Sequence, residues 1–239
     1  MEADTFNFKY DILKSYFKKA IDAGYKIITC KEYAETKSAL LHSKVFVNRI
    51  DVDTSVRKIK NLSDIFNQLG IKGSFFLRLH GDEYNPFSFE NYRIVCQLIK
   101  DGHEIAYHSE IIDQSVIWNE SAKDCLVRDV AVLEKMFNIK ISGVASHGGI
   151  TGLNNLDFWK EAKPSEFGLL YEAYDKQPGF NLFHESLYVS DSNYKWKSYL
   201  KGTLTSTSNK TLGDYIDEGH QRIYLNIHTD TYYFNHIYE

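Results

Sequence analysis

Two aspartates and three histidines stand at positions in this sequence where they could hold a metal ion. Each of the five follows a short apolar segment: Asp51, Asp53, His108, His147 and His228. Carboxylate and imidazole groups are common protein ligands of zinc and of related transition metals. Taken singly, each residue has a simpler explanation, such as a helix cap, a turn, or a structural or surface histidine. Their shared placement after apolar segments predicts a metal site.

The spacing of Asp51 and Asp53 suggests different tasks for the two carboxylates. Residues two apart on an extended chain point to the same side. One carboxylate can therefore bind a cation while the other stays free to act as a base. The alternative is structural, because Asp53 or Thr54 could instead cap the helix that follows.

Short β-branched or aromatic segments alternate with amphipathic helical patterns, which is typical of βα units around a mostly parallel sheet. The predicted strands cover residues 26–29, 44–53, 73–79, 103–108, 141–147, 169–171, 187–189 and 222–228. The predicted helices cover residues 10–23, 54–69, 89–100, 121–137, 156–162 and 212–218. We expect one α/β domain over residues 1–239, an irregular (β/α) barrel, with a doubly wound sheet as the alternative. Because functional residues lie at the C-terminal ends of strands in such folds, the five candidates should meet at one edge.

The composition is that of a folded globular protein, with 43% hydrophobic residues, 14 Gly and 3 Pro. Its 28 basic and 32 acidic residues leave a net charge of −4, which offers no basic surface to nucleic acid. The three cysteines form no CxxC pair, so neither a disulfide framework nor a cysteine zinc site is indicated. A secretory signal pattern and a long apolar run are both missing from the sequence. We therefore expect a cytoplasmic protein, not inserted in a membrane, that acts on a small molecule or a carbohydrate.

Five segments, in order, resemble the motifs of the polysaccharide deacetylase-like superfamily of metal-dependent carbohydrate N-deacetylases. The segment RIDVD resembles the first motif in its DxD variant, LGIKGSFFL resembles the next strand, and DGHEIAYHSE resembles the histidine motif. VSDSNYKW and LNIHTD resemble the last two motifs. The resemblance covers roughly residues 8–230 and implies a deacetylase-type barrel.

The resemblance also implies roles for individual residues. Asp51 would be the catalytic base, and Asp53 and His108 would be metal ligands. His228 would be the acid, oriented by Asp191. Trp196, in the segment with Asp191, would form a wall of the substrate pocket.

Two departures from the family pattern leave alternatives open. The family usually has a second histidine four residues after the first, where this chain has Ile112. His147 is the preferred third ligand, because imidazole suits zinc, and Glu110 is the alternative. The segment SHGG replaces the family motif that supplies an arginine next to the base, and Arg78 or Arg49 could take over that contact. Of the two, Arg78 is the predicted substrate-binding residue.

The predicted function is the metal-dependent hydrolysis of a carbon–nitrogen bond other than a peptide bond. An acetyl or formyl group would be removed from a sugar, or from a sugar-containing precursor of surface polysaccharide, with zinc as the expected metal. Aromatic residues could stack on the sugar, although core packing explains each of them better: Tyr84, Phe87, Tyr107, Tyr194 and Trp196. The alternatives are hydrolysis of a non-sugar amide or a cyclic imide, and a non-catalytic carbohydrate-binding relative.

Overall fold

A computed structural model of the protein describes residues 7–206 and 210–236. Its strands are β1 (Lys26–Ile28), β2 (Val45–Val52), β3 (Ser74–Leu77), β4 (Glu104–Ser109), β5 (Gly143–Ser146), β6 (Tyr171–Glu172), β7 (Leu187–Ser190), β8 (Lys197–Leu200), β9 (Thr203–Ser206) and β10 (Arg222–His228). The α-helices are α1 (Tyr10–Asp22), α2 (Cys30–Thr36), α3 (Ile59–Leu69), α4 (Phe89–Lys100), α5 (Ile111–Trp118), α6 (Ala122–Phe137), α7 (Leu182–Glu185) and α8 (Leu212–Asp217). None of the described helices is both long enough and apolar enough to cross a membrane.

The strands form one sheet in the order β6-β5-β4-β3-β2-β10-β7-β8-β9, and β1 pairs beside β2. Every pairing is parallel except those that β8 makes with β7 and β9. The predicted α/β class is therefore confirmed. Among the described residues the hydrogen-bonded ladder ends at β6 and β9, so it does not close into a complete barrel.

The two faces of the sheet bury different sets of side chains. Residues of one face pack against the long helices α1, α3, α4 and α6 and the short helix α8, while the opposite face is covered mainly by its own side chains with α2 and α7. Strand β2 is buried at every position because both of its faces are covered. This one-sided placement of the long helices differs from a doubly wound sheet, which has helices on both faces.

Aromatic contacts across the second face show that the sheet is strongly curved. The rings of Phe76 on β3 and Tyr171 on β6 lie 6.4 Å apart. Strands three steps apart in a flat sheet would be separated by about 14 Å. Between the ladder's open side near β6 and strand β7, the hydroxyls of Tyr174 and Tyr188 lie 3.4 Å apart. The second face of the sheet therefore lines a concave interior.

Several elements differ from the sequence prediction. The predicted helix at 54–69 begins only at Ile59, and the backbone N–H of Thr54 donates to Asp230 beside the end of β10. Helices α2, α5 and α7 and the β8–β9 hairpin were not predicted. Helix α5 carries apolar residues at both its buried and its exposed positions, so its sequence lacks the one-sided pattern that marks a surface helix.

Candidate metal centre and active site

Strand β2 brings three charged side chains to the concave interior. Arg49, Asp51 and Asp53 are spaced by two residues, so the alternation of an extended chain turns them to the same face. Asp51 lies opposite His228 in the parallel pairing of β2 with β10. The predicted aspartates and the histidine of the last strand therefore meet at the C-terminal edge of the sheet.

Asp53, His108 and His147 form a group that could hold a metal ion. One potential ligand atom from each residue lies within 4.8 Å of those of the other two. Oδ1 of Asp53 is buried and makes no well-aligned hydrogen bond with any part of the chain that the structure describes. A buried carboxylate oxygen without a donor is costly, and a cation would satisfy it. A carboxylate with two imidazoles is also a usual ligand set for a catalytic divalent metal, so these residues fit one.

The hydrogen bonds of His108 fix which of its nitrogens can bind. Nδ1 lies 2.9 Å from the carbonyl oxygen of Ala145. A carbonyl can only accept, so Nδ1 carries the proton, and Nε2 faces Asp53 Oδ1 at 3.3 Å. Metal-binding histidines commonly donate their other ring N–H to a carbonyl or carboxylate in this way, which fixes the orientation of the ring. Burial lowers the pKa of His108, but the charges of Asp51 and Asp53 outweigh burial and raise it.

Glu110, the alternative third ligand, lies behind His147. Its Oε1 is 3.3 Å from Nδ1 of His147 and accepts a hydrogen bond of 2.7 Å from Arg78. Burial raises the pKa of Glu110, but its contacts with His147 and Arg78 lower it on balance. The structure therefore gathers Asp53, His108 and His147 as the potential ligands and gives Glu110 a place where it can orient His147.

Arg78 supports the site from behind and is largely buried. Besides the bond to Glu110, it donates to the backbone carbonyl of Asp53 at 3.1 Å. These two bonds tie the end of β2 to the segment after β4. The structure therefore places Arg78 under the potential ligands, whereas the sequence suggested a contact with substrate.

Arg49 is the arginine that contacts the predicted base. Its Nε and Nη2 donate to the two carboxylate oxygens of Asp51 at 2.8 and 2.7 Å, and Arg49 is fully buried. The guanidinium lies between the rings of Phe76 and Tyr174, 5.2 and 4.7 Å from their centres. Burial raises the pKa of Asp51, but Arg49, followed by His108 and His228, lowers it on balance. Asp51 is therefore held ionised inside the sheet.

We expect Arg49→Met to destabilise the protein by about 3–5 kcal/mol, because it leaves the buried carboxylate of Asp51 without its partner charge. Urea denaturation monitored by circular dichroism would measure the loss. In the double variant Arg49→Met/Asp51→Asn part of the stability should return, since no uncompensated charge remains. If the double variant is as unstable as the sum of the single variants, lost packing rather than charge pairing explains the effect.

His228 and Asp191 form a close pair beside Asp51. Nδ1 of His228 lies 2.5 Å from Oδ1 of Asp191, which is fully buried, and the other carboxylate oxygen accepts the backbone N–H of His228. Nε2 of His228 is 4.0 Å from both Asp51 and Asp53. Burial lowers the pKa of His228, but the charge and hydrogen bond of Asp191 raise it to about 9. The imidazole is therefore charged at neutral pH.

A cavity of about 880 Å³ opens beside His147. Five aromatic residues contribute to its lining: Trp159, Tyr174, Phe183, Tyr188 and Tyr199. None of the five aromatic residues proposed from sequence lies among them, and all five are in the described part of the chain. Trp196 is 3% exposed and packs 5.4 Å from the ring of Phe8 in the core under the helices, so the predicted pocket wall is wrong for this residue. The residues that line the cavity lie in or after short strands, short helices and loops. Such segments show no regular spacing of apolar residues, so the sequence did not indicate these positions.

No protein-family model matches this chain, and no curated protein matches it either. Among solved structures, a Streptococcus pyogenes deacetylase, PplD, solved in complex with acetate, is similar at 15% sequence identity and a TM-score of 0.46. The similarity covers 60% of this chain and 64% of that one, so this chain matches less than two thirds of its length.

Proposed function

We propose that the protein is a metal-dependent hydrolase that removes an N-acyl group, acetyl or formyl, from a sugar or a sugar-containing precursor of surface polysaccharide. One observation carries the proposal: a potential three-residue metal site lies next to both an arginine-paired carboxylate and an aspartate-paired histidine. Amide hydrolysis needs a base for the attacking water and an acid for the leaving nitrogen, and these two groups are of the right kinds.

Each group has a defined task in the proposed reaction. A zinc ion held by Asp53, His108 and His147 would polarise the acyl carbonyl and make water more acidic. Asp51 accepts a proton from the water whose oxygen forms the new bond to the acyl carbon. His228 donates a proton from Nε2 to the nitrogen as the carbon–nitrogen bond breaks. The products are a carboxylic acid and an amine.

The cavity supports a sugar as the bound group. Its aromatic side chains offer flat apolar faces of the kind that pack against sugar rings. Among its polar lining residues are Asn154, Gln177, Ser190 and Ser192, whose side chains can exchange hydrogen bonds with hydroxyl groups. Its volume lies within the usual range for small-molecule sites. Non-sugar amides and cyclic imides would use the same catalytic groups, so a substrate panel has to separate these classes.

We expect the purified protein to bind one zinc per chain, measured by elemental analysis. Asp53→Ala, His108→Ala and His147→Ala should each lose the metal. Glu110→Ala should still bind it at saturating zinc, because Glu110 lies behind His147 and is not among the potential ligands. Release of acetate or formate from N-acylated saccharides, compared with simple amides and cyclic imides, would then test the substrate class.

Two results would contradict the proposal. A wild-type protein that binds no metal after dialysis against zinc would favour a non-catalytic sugar-binding protein. Turnover of imides or simple amides but not of N-acylated sugars would keep the metal chemistry and reject the substrate.

A further inference from the structure

The loop after β5, which carries His147, is fixed to helix α5 by two buried polar side chains. Asp113 is 2% exposed and Asn155 is fully buried. The carboxylate of Asp113 accepts the backbone N–H groups of Ile150 and Thr151, at 3.2 and 3.0 Å, and the Thr151 hydroxyl at 2.6 Å. The loop is therefore closed around a single carboxylate.

Asn155 connects this carboxylate to His147 itself. Its Nδ2 donates to Asp113 Oδ2 at 2.7 Å and to the backbone carbonyl of His147 at 3.1 Å. Its Oδ1 accepts the backbone N–H groups of Ile112 and Asp113, at 2.9 and 3.1 Å. All four hydrogen-bonding positions of this amide are thus used. On the other side, the backbone N–H of His147 donates to the carbonyl of Ser109, so both backbone polar groups of His147 are held.

Gly149 allows the loop to make this turn. A Cβ at position 149 would lie 1.7 Å from the backbone oxygen of Leu153, so the turn could not stay closed. A Cβ at the neighbouring Gly148 would have no atom within 4 Å. The two adjacent glycines therefore form a matched pair for testing the loop.

We propose that Asp113 and Asn155 are positioning residues that place His147 as the third metal ligand, in a site where helix α5 itself supplies none. The inference rests on the proposed function, because it assumes the metal site. Ile112 on α5 has no ligating atom in its side chain, and its backbone N–H binds Asn155. Helix α5 therefore contributes to the site through the loop that it holds, and the loop contributes the imidazole.

The test is the zinc affinity of the metal-free protein, measured by calorimetric titration with zinc chloride. We expect Asp113→Asn and Gly149→Ala each to weaken zinc binding about 10–100-fold, the range typical of residues that orient a metal ligand. In the native protein, Oδ2 of Asp113 accepts hydrogen bonds from the backbone N–H of Ile150 and from Nδ2 of Asn155. In Asp113→Asn an NH₂ group, which donates, would face these two donors. The visible spectrum of the cobalt-loaded protein should change in both variants, because the nitrogen of His147 is no longer held at the metal.

Two control variants separate positioning from general damage. Asp129 is as buried as Asp113 and binds α5 through Gln114, but it makes no hydrogen bond to residues 147–155, all of which are described. Asp129→Asn should therefore reduce stability while zinc affinity and the cobalt spectrum stay near those of the wild type. Gly148→Ala should also leave zinc affinity unchanged.

The outcomes distinguish the inference from the proposed function. If the wild type and both controls bind zinc, and Asp113→Asn and Gly149→Ala bind it equally tightly, the positioning role is overturned and the metal site stands. If the wild type binds no zinc, both fail. Should Asp113→Asn not fold, Gly149→Ala decides alone, because it changes an exposed loop residue and leaves α5 intact.

Discussion

Replacing Asp51 with asparagine should lower the rate of N-acyl hydrolysis by about 10²–10⁴-fold, the contribution of a positioned general base. The amide has nearly the same shape but does not accept the proton of the attacking water. The effect should fall mainly on kcat, because Asp51 is buried and is not among the potential metal ligands. Steady-state kinetics on an N-acylated saccharide would measure it.

Asp53→Asn is the matched control for this experiment, since it makes the same chemical change two residues away on the same face. Asp51→Asn should retain one zinc per chain, whereas Asp53→Asn should lose both zinc and activity. The neutral residue at position 51 leaves Arg49 without its carboxylate partner, so the assay temperature has to lie below the variant's melting temperature. An Asp51→Asn protein with full activity and bound zinc would exclude Asp51 as the base.

Much of the arrangement of the sheet was predictable because strand and helix patterns alternate so regularly. The apolar positions of α1 recur at spacings of three and four, and the predicted end at Gly24 is confirmed by its positive φ of 82°. Asp51 and Asp53 are two residues apart, so they share a face because side chains alternate along an extended strand. For these features the local sequence decides the local structure, and the parallel order brings the strand ends together.

The contacts within the site depended on tertiary neighbours and were less predictable. Sequence reasoning offered both Arg49 and Arg78 as the contact to the base. Their roles follow from the carboxylate that each one reaches: Asp51, two residues further along β2, for Arg49, and Glu110, after β4, for Arg78. Trp196 looked like a pocket residue because of its neighbours in sequence, but its ring turns to the opposite face of the sheet. A two-residue periodicity predicts that neighbouring residues alternate between faces, but it does not say which face is the cavity.

The hydrogen-bond network of Asp113 and Asn155 that holds the His147 loop was outside the reach of sequence reasoning for another reason. It joins Asp113 on a helix that was not predicted to Asn155, which begins a short 3₁₀ helix. Both residues are polar, and by composition alone they would be assigned to the surface. Buried polar residues of this kind become visible only when their partners are placed, because the side-chain partners of Asp113 lie more than thirty residues away in sequence.

Asp191→Asn should remove most of the activity, by about 10²–10⁴-fold, because it removes the charge that keeps His228 protonated and oriented as an acid. Both carboxylate oxygens accept a donor from His228, one from the ring and one from the backbone, and an amide can serve only one of them. Without the charge and hydrogen bond of Asp191, the pKa of His228 should fall from its value of about 9.

The dependence of kcat on pH tests whether His228 acts as the acid. An acid must carry its proton, so the wild-type kcat should fall as pH rises through about 9, the pKa of His228. In Asp191→Asn this alkaline limb should move to lower pH. Asp230→Asn is the control, because Asp230 follows His228 by two residues and binds the backbone of Thr54 without a hydrogen bond to the His228 ring; its alkaline limb should match that of the wild type. An unchanged limb in Asp191→Asn would mean that another group donates the proton, and His228 would then be left with a binding role.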